Sequence, residues 1–308
     1  MEGVTDSPYR RLCKEMGADI VFSELTSADG ILKKNDHYGK KLNFLPEERP
    51  IAIQLFGNAP NIIAEAIKYV ELLNPDFIDL NCGCPAKKII SKGAGAALIK
   101  DIPLMVAIAK AAVNATDIPV TVKTRIGWDK NSITITDIAL RLQDAGISAL
   151  TIHGRTKSQM FQGEANWEEI AKVKQHRDIK IPIIGNGSIN SAEKGINYIN
   201  KYDVDGIMIG RATLGNPFIF RDIKNLIQNK PVNKPSLKEH IDVCKKHLLL
   251  AAQWNGKNRT VFETRKHYSN YFKYLENFKP FRIKLMTALT LEEVFEVMDE
   301  ICEYYSGN

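Results

Sequence analysis

Six short stretches rich in apolar residues end in polar side chains or glycines that could bind a cofactor and move protons. In chain order the endings are Gln54, Asn81-Cys-Gly-Cys84-Pro85, Lys123-Thr-Arg125, His153-Gly-Arg155, Asn186-Gly-Ser188 and Gly210-Arg211. Strands that are buried on both faces are usually apolar along their whole length. Polar endings on successive strands are therefore difficult to explain by folding alone, and they predict that the endings converge on a site.

Each of these residue types suggests a chemistry, and each also has a structural explanation. A cysteine with a pKa of about 8.5 is mostly protonated at neutral pH, so Cys84 suits a proton donor better than a thiolate nucleophile. A single cysteine is nevertheless more often a buried structural thiol. Lys123 would be uncommon in a strand unless it pairs with an anion or an electron-rich ring. The Gly185-Asn-Gly187 turn could bind a phosphate, but such turns also occur without ligands, and His153 alone would indicate a core histidine.

The residues of interest lie at the ends of seven β-rich runs that alternate with segments of helical periodicity. The runs are 19–23, 50–56, 77–81, 119–123, 149–153, 182–185 and 206–209, and the predicted helices between them are 61–73, 103–113, 135–145, 167–175 and 191–198. Repeated βα units of similar size are typical of an α/β protein with a (β/α)₈ TIM barrel, in which the carboxyl ends of the strands carry the active site.

One strand of such a barrel is not found among the seven runs. Residues Met1 to Tyr9 resemble the loop after a first strand and the start of its helix, with Thr5 or Asp6 as a cap and Pro8 near the first helical position. A barrel without one strand would have two unpaired edges, which natural proteins avoid. We therefore expect the first strand to lie upstream of Met1.

The βα rhythm stops after Arg221, and a polar connector from Gln228 to Pro235 precedes a helical segment. Ser/Thr-x-x-Glu capping boxes at Ser236 and Thr290 predict helices near 236–254 and 290–305, with a third near 258–275. The expected domains are a catalytic barrel at 1–228 and a small all-helical domain at 236–308. Between residues 224 and 284 there are 14 Lys or Arg and four acidic residues, so this segment has a net charge of +10 and the rest −4. This distribution favours a polyanionic partner, although a solvated helix face would explain it equally well.

The composition of the 308 residues excludes several classes of protein. With 44% hydrophobic and 25% charged residues the chain is typical of a globular protein, and it has no apolar run of the ~20 residues that a membrane helix needs. The amino terminus has no secretory signal, so we expect a cytoplasmic protein without a membrane partner. The five cysteines are scattered and are expected to be free thiols, with no metal site.

The strand endings, taken with the opening Met-Glu-Gly-Val-Thr-Asp-Ser-Pro-Tyr-Arg10, resemble a known family in order and spacing. The motifs that carry the resemblance are that opening, Asn81-Cys-Gly-Cys84-Pro-Ala-Lys-Lys88, Lys123-Thr-Arg-Ile-Gly-Trp128, Thr151-Ile-His-Gly-Arg-Thr156, Gly185-Asn-Gly-Ser-Ile189, Ile209-Gly-Arg211 and Arg265-Lys-His267. They are similar to those of the tRNA-dihydrouridine synthases, in particular the bacterial B-type branch, over nearly the whole chain.

The resemblance implies an FMN-dependent oxidoreductase that reduces a D-loop uridine of tRNA to 5,6-dihydrouridine, with electrons from NADPH and a proton from Cys84. It implies FMN contacts at Met1, Glu2, Gln54, Lys123, His153, Asn186, Gly187, Ser188, Gly210 and Arg211. We expect substrate contacts at Asn81, Arg125, Arg265 and Lys266, and no obligate protein partner. Two positions depart from the family pattern, because Cys82 is unusual between Asn81 and Gly83 and an acidic residue is commoner at Ser188.

Two other functions are compatible with parts of the sequence. The first is an FMN barrel that reduces a free pyrimidine, as dihydroorotate and dihydropyrimidine dehydrogenases do, but such an enzyme would not need the basic helical segment. The second is a nucleic-acid-binding protein whose barrel has lost catalysis. A flavin spectrum that NADPH bleaches would exclude the second function, and binding to tRNA would distinguish the first.

Overall fold

A computed structural model describes residues 1–33, 39 and 41–306 of the chain. The chain divides into two compact units. The first consists of Met1–Asp6 and Asp19–Ile209, and the second of Ser7–Ala18 and Gly210–Asn308.

The first unit is built on one parallel sheet. Its strands are β1 Val21–Phe22, β2 Thr26–Ser27, β3 Ile51–Phe56, β4 Phe77–Asn81, β5 Val120–Arg125, β6 Ala149–His153, β7 Ile183–Asn186 and β8 Gly206–Met208. The order is β1-β3-β4-β5-β6-β7-β8, and β2 also pairs with β3, so that β1 and β2 share one position. The seven predicted runs are therefore confirmed as seven sheet positions. Among the described residues, β1 pairs only with β3 and β8 only with β7.

Helices follow most strands and cover the sheet, as the (β/α)₈ prediction requires. The described residues form the α-helices α1 Ser7–Glu15, α2 Ala28–Leu32, α3 Pro60–Glu71, α4 Lys87–Ile90, α5 Ile102–Val113, α6 Ile135–Asp144, α7 Trp167–Lys174, α8 Ala192–Tyr202, α9 Phe218–Ile227, α10 Leu237–Asn255, α11 Lys257–Glu263, α12 Arg265–Tyr271, α13 Lys279–Thr287 and α14 Leu291–Ser306. Capping side chains fix where several of these helices begin. The Asp101 carboxylate accepts a hydrogen bond from Leu104 N at 3.0 Å, and the Ser191 hydroxyl accepts one from Lys194 N at 3.2 Å.

The two faces of each strand have different chemistry. On β5, Val120 and Val122 belong to the buried apolar cluster that also contains residues of α3, α5 and α6. Successive side chains of a strand point to opposite faces, so Thr121, Lys123 and Arg125 share the other face. The apolar face explains why the sheet is stable, and the second face carries the polar residues of the site.

The second unit is helical. The Ser236 hydroxyl accepts from Glu239 N at 3.2 Å and the Glu239 carboxylate accepts from Ser236 N at 2.7 Å, which confirms this capping box. The single helix expected at 258–275 is wrong, because the chain forms α11 and α12 with a break at Thr264. The Thr264 hydroxyl donates to the carbonyl of Thr260 at 2.7 Å, a side-chain bond that competes with regular helical geometry.

Helix α1 also belongs to the second unit. Its Tyr9 ring is fully buried, 5.2 Å from the ring centroid of His247 and 5.5 Å from that of His267. The Tyr9 hydroxyl donates to the carbonyl of Thr213. Burial lowers the pKa of His267 to about 4, so this cluster is neutral at physiological pH.

Candidate active site

The pairing register of β3, β4 and β5 places five polar side chains on one face of the sheet. Gln54, Asp79 and Thr121 are paired across the three strands, and two residues further along, Asn81 is paired with Lys123. Because residues two apart share a face, these side chains form two adjacent polar layers at the carboxyl ends of the strands. The carboxyl edge is where parallel barrels carry their active sites.

A chain of hydrogen bonds connects the first layer to the cysteine loop. Gln54 Nε2 donates to Asp79 Oδ2 at 2.8 Å, and Asn81 Nδ2 donates to Gln54 Oε1 at 3.0 Å. Asn81 Oδ1 then accepts from the main-chain N–H of Cys84 at 2.8 Å and from that of Gly83 at 3.2 Å. The side chains of the site therefore hold the backbone of the proposed proton donor.

The loop that carries Cys84 is also held against β5. Arg125 is only 2% exposed, and its Nε donates to the carbonyl of Gly83 at 2.8 Å while its Nη1 donates to the carbonyls of Thr156 and Met160 at 2.9 and 3.0 Å. These contacts hold the Arg125 side chain against the loop, and the substrate contact expected from the sequence stays a prediction. The Cys84 thiol itself is half-buried, whereas burial and the nearby Asp79 carboxylate raise the pKa of the Cys82 thiol far above its usual value.

Lys123 is the cationic group of the site. Its Nζ donates to Asn186 Oδ1 at 3.0 Å, and Asn186 Nδ2 donates to the carbonyl of Met208 at 2.7 Å. Burial is the main cause that lowers the pKa of Lys123 to about 8, and Arg125 adds to this effect, while Asp79 opposes it. The ammonium form therefore predominates at neutral pH but is easily lost in mildly alkaline solution.

The turn at 186–188 is shaped by three neighbouring side chains. Gly187 has φ of +116°, and a Cβ atom there would lie 2.6 Å from His153 Cδ2, so only glycine fits. Its carbonyl accepts from Trp167 Nε1 at 2.9 Å. The Ser188 hydroxyl accepts from Arg155 Nη2 at 2.8 Å, and Arg155 Nη1 lies 3.2 Å from His153 Nε2. The turn is thus held rigidly beside the predicted flavin contacts Asn186 and His153.

Met1 and Glu2, which the sequence assigned to the cofactor, lie in a loop that contacts other residues of the first unit. The Thr5 hydroxyl donates to the carbonyl of Met1 at 3.2 Å. Glu2 forms an ion pair with Lys41, and the main-chain N–H of Gly3 donates to the Glu24 carboxylate. Glu2 is exposed, and its carboxylate is already engaged by that lysine.

The remaining predicted contacts lie in the second unit, where they have distinct environments. Gly210 caps the short 3₁₀ helix 211–213, and the side chain of Arg211 is exposed. Arg265 is half-buried, donates from Nη2 to the carbonyl of Ala288 at 2.9 Å and lies over the Phe262 ring at 4.6 Å. Lys266 is exposed and forms no ion pair with any residue that the structure describes.

Sequence reasoning missed Asp79 and Thr121. The Thr121 hydroxyl donates to Asp79 Oδ1 at 2.6 Å, and Asp79 is fully buried. Burial raises the pKa of Asp79 to about 6, against the hydrogen bonds from Thr121 and Gln54 and the charge of Lys123. A signal existed, because Asp79 is an acidic residue inside an otherwise apolar strand and shares a face with Asn81.

The described residues provide neither a metal site nor a membrane-spanning helix. No group of three or more His, Cys, Asp or Glu residues among them could hold a metal ion. Nor does any helix in the described ranges have the length and apolar character to cross a bilayer. All five cysteines are free thiols, as predicted.

Comparison with known proteins gives the chain a family. The dihydrouridine synthase (Dus) family model matches residues 1–304. A probable tRNA-dihydrouridine synthase of Rickettsia bellii is 38% identical over 100% of this chain and 93% of its own length. The tRNA-dihydrouridine synthase B of Pseudomonas aeruginosa is 38% identical over 92% of this chain and 85% of its own.

A solved structure supports the fold independently. A variant of NCR from Zymomonas mobilis superposes with a TM-score of 0.52 at 15% identity, covering 78% of this chain and 88% of the other. The family match extends from the amino-terminal loop through the polar strand ends to α14, so it includes every residue of the candidate site. The chain is a member of the dihydrouridine synthase family of flavin-dependent oxidoreductases.

Proposed function

We propose that the protein is a tRNA-dihydrouridine synthase that uses FMN, with Cys84 as the proton donor and NADPH as the source of electrons. The main support is the position of Cys84. Its thiol is half-buried on a loop that Asn81 and Arg125 hold at the carboxyl edge of the sheet, beside the Lys123 ammonium. This arrangement suits a group that must reach a substrate from a fixed place.

The residues of the first unit suit a flavin mononucleotide. The ring edge of a flavin offers both hydrogen-bond donors and acceptors, and the side-chain amides of Gln54 and Asn81 can match them. Lys123 would place a positive charge where the reduced ring carries a negative one. The tight glycine turn at 187 is compatible with a main chain that approaches a phosphate closely, and Asn186, Ser188 and the 3₁₀ start at Gly210-Arg211 remain predicted contacts.

The proposed chemistry divides between the cofactor and the protein. When bound, reduced FMN would supply the hydride needed at carbon 6 of the uracil ring. Cys84 donates its proton to carbon 5, and the resulting thiolate regains a proton from solvent. Lys123 stabilises negative charge, and the Asn81 side chain keeps the cysteine loop in place while the reaction occurs.

A folded tRNA is the substrate that best explains the second unit. Both relatives named above are described as tRNA-dihydrouridine synthases. A stacked uridine must be flipped out before an enclosed site can reach it. Exposed cations of the second unit that form no ion pair with described residues can bind the RNA backbone. They include Lys266, Lys273 and Arg282. Such a substrate would place the protein in the cytoplasm.

Several cationic and aromatic residues of the second unit have partners other than RNA. Lys245 pairs with Asp299 at 2.5 Å and Lys257 with Glu292 at 3.2 Å. Tyr268, Tyr271 and Phe272 are fully buried, so they stabilise the helical core and cannot stack on bases. Fewer residues are therefore available to bind RNA than the number of cations between residues 224 and 284 suggests.

One set of measurements tests the proposal. The purified protein should show a flavin spectrum that NADPH bleaches and unmodified tRNA restores. Mass spectrometry of digested tRNA should then show a gain of two hydrogens on uridine. A protein that reduces a free pyrimidine but not tRNA would instead support the dehydrogenase alternative, and a colourless protein that flavin cannot reconstitute would refute the whole proposal.

A further inference from the structure

We propose that Asp79 is a positioning residue whose carboxylate anchors a hydrogen-bond relay through Gln54 and Asn81 to the backbone of the Cys84 loop. The inference deepens the proposed function and rests on it for the role of Cys84. It assigns a task to a fully buried charged side chain that the reaction itself does not need.

The hydrogen bonds of the relay run in one direction. An ionised carboxylate can only accept hydrogen bonds, so Gln54 must turn its nitrogen towards Asp79 and its oxygen towards Asn81. At the other end, the main-chain N–H groups of Gly83 and Cys84 can only donate, so Asn81 must turn its oxygen towards them. Both ends impose the same direction on the two amides. The relay therefore has one arrangement, with no flipped alternative.

The position of Asp79 in the sheet also fits the relay. Asp79 lies between Gln54 and Thr121 in the register of three neighbouring strands, and its two oxygens each accept one bond, at 2.8 and 2.6 Å. Neighbouring strands fix these partners from both sides. A buried polar side chain costs more free energy than an apolar residue of similar volume, so its presence in the layer beneath Asn81 needs a reason. The relay provides it, because a side-chain oxygen of residue 79 is the acceptor at which the chain of amides ends.

The relay ends at the backbone of the proposed proton donor. A displacement of the Gln54 amide moves Asn81 and, through it, the backbone N–H of Cys84. The Cys84 backbone is also held at its carbonyl, which accepts from Ala96 N at 3.0 Å. A shift of the loop by a fraction of an ångström would change both the accessibility of the thiol and its distance from a bound uracil.

The test compares two substitutions that separate geometry from charge. Asp79→Asn removes the charge but keeps the shape, because its oxygen can accept from Gln54 while its nitrogen donates to the Thr121 hydroxyl. Asp79→Glu keeps the charge, but its side chain is longer by one methylene group and would push the Gln54 amide away. Thr121→Val is the matched control, because it removes the other bond to Asp79 and leaves the relay intact.

Two readouts are measured on the flavin-loaded protein in a Cys302→Ser background. One is the rate of dihydrouridine formation in tRNA, and the other is the rate at which iodoacetamide alkylates Cys84. Cys13, Cys82 and Cys244 are buried thiols and should react slowly. We expect Asp79→Asn and Thr121→Val to stay within about threefold of the parent in both rates. Asp79→Glu should lose roughly tenfold or more in uridine reduction and change the alkylation rate by at least about threefold.

The opposite ranking, with Asp79→Glu closer to the parent than Asp79→Asn, would overturn the relay and favour a role for charge alone. An equal loss in Thr121→Val would also overturn it, since packing of the layer would then be the cause. If Asp79→Glu does not fold, Asp79→Leu replaces it with the same expectation. If the parent protein makes no dihydrouridine, the proposed function fails, and the alkylation rates still decide whether Asp79 positions Cys84.

Discussion

Lys123 Nζ on β5 donates a 3.0 Å hydrogen bond to Asn186 Oδ1 on β7, two strands away in the sheet. Asn186 is itself oriented by the 2.7 Å bond from its Nδ2 to the carbonyl of Met208, so its oxygen must face the ammonium. The lysine is therefore fixed in direction while it remains charged. Its pKa of about 8 makes that charge sensitive to pH.

Flavin affinity should fall as the pH rises through 8. The group that binds is the ammonium, which is present below the pKa and lost above it, so FMN should bind most tightly below pH 8 and more weakly between pH 8 and 9. We expect roughly a tenfold weakening, as for the loss of one charge-assisted hydrogen bond. Bound FMN should raise the pKa of Lys123, because the cofactor binds the ammonium form. Fluorescence titration of the apoprotein with FMN at each pH measures the effect.

The control for this prediction is Lys123→Met. It should bind FMN more weakly than the parent at pH 7 and should show little change in affinity between pH 7 and 9. A parent-like pH dependence in this variant would assign the titration to another group.

Replacement of Cys84 should separate the two half-reactions. Cys84→Ala should retain FMN and its reduction by NADPH, because neither requires the thiol proton. Uridine reduction should fall by about 10²-fold or more, the usual contribution of a positioned general acid. Stopped-flow absorbance follows the flavin, and mass spectrometry of tRNA follows the product.

Cys82→Ser is the matched control for Cys84→Ala. The two cysteines are separated by one glycine, but Cys82 is buried, so its thiol should not reach a substrate. We expect Cys82→Ser to leave dihydrouridine formation within about threefold of the parent. If Cys82→Ser abolished the reaction and Cys84→Ala did not, the proton donor would have been assigned to the wrong thiol.

The sequence predicted the strands well because each is a short apolar run with a clear end. The runs at 77–81 and 149–153 match β4 and β6 residue for residue, and both end at a polar side chain followed by a loop. The five helices predicted in the first unit correspond to α3, α5, α6, α7 and α8, with ends that agree within four residues, whereas α2 and α4 were not predicted. Local patterns were less reliable in the second unit, where no pattern indicated the break at Thr264.

The hydrogen-bond partners of the site could not be read from the sequence. Asp79 contacts Gln54 and Thr121 only because three strands adopt one register, which is a property of the whole sheet. Arg125 presents the same problem, because the sequence assigned it to the substrate, while its donors bind the carbonyls of Gly83, Thr156 and Met160. Sequence shows that a polar group exists, and the fold determines what it contacts.

Gly187→Ala should destabilise the protein and release the cofactor. Its φ of +116° is unfavourable for alanine, and the new methyl group would collide with His153 and with the Ala165 Cβ at 2.8 Å. We expect a loss of about 3 kcal/mol or more in the free energy of unfolding. Urea unfolding of the apoprotein and the flavin content of the purified holoprotein measure the two effects.

Gly163→Ala is the control for the steric contact at residue 187. Gly163 also has positive φ, at +65°, but a Cβ atom there would meet nothing within 4 Å. The cost should be only about 1–2 kcal/mol, from the left-handed conformation alone, with normal flavin content. Equal losses in the two variants would mean that backbone strain, and not contact with His153, makes Gly187 necessary.

The exposed cation Lys266 should contribute to tRNA binding through a phosphate contact. Lys266→Ala should weaken binding and reduce the slope of log Kd against log salt concentration by about 0.7–0.9, the value for one released counterion. Lys245→Ala serves as the control, because that lysine already pairs with Asp299 and its loss should leave the slope nearly unchanged. Flavin content should be normal in both variants. If the slope changed in Lys245→Ala and not in Lys266→Ala, the RNA-binding surface would lie on another face of the helical unit.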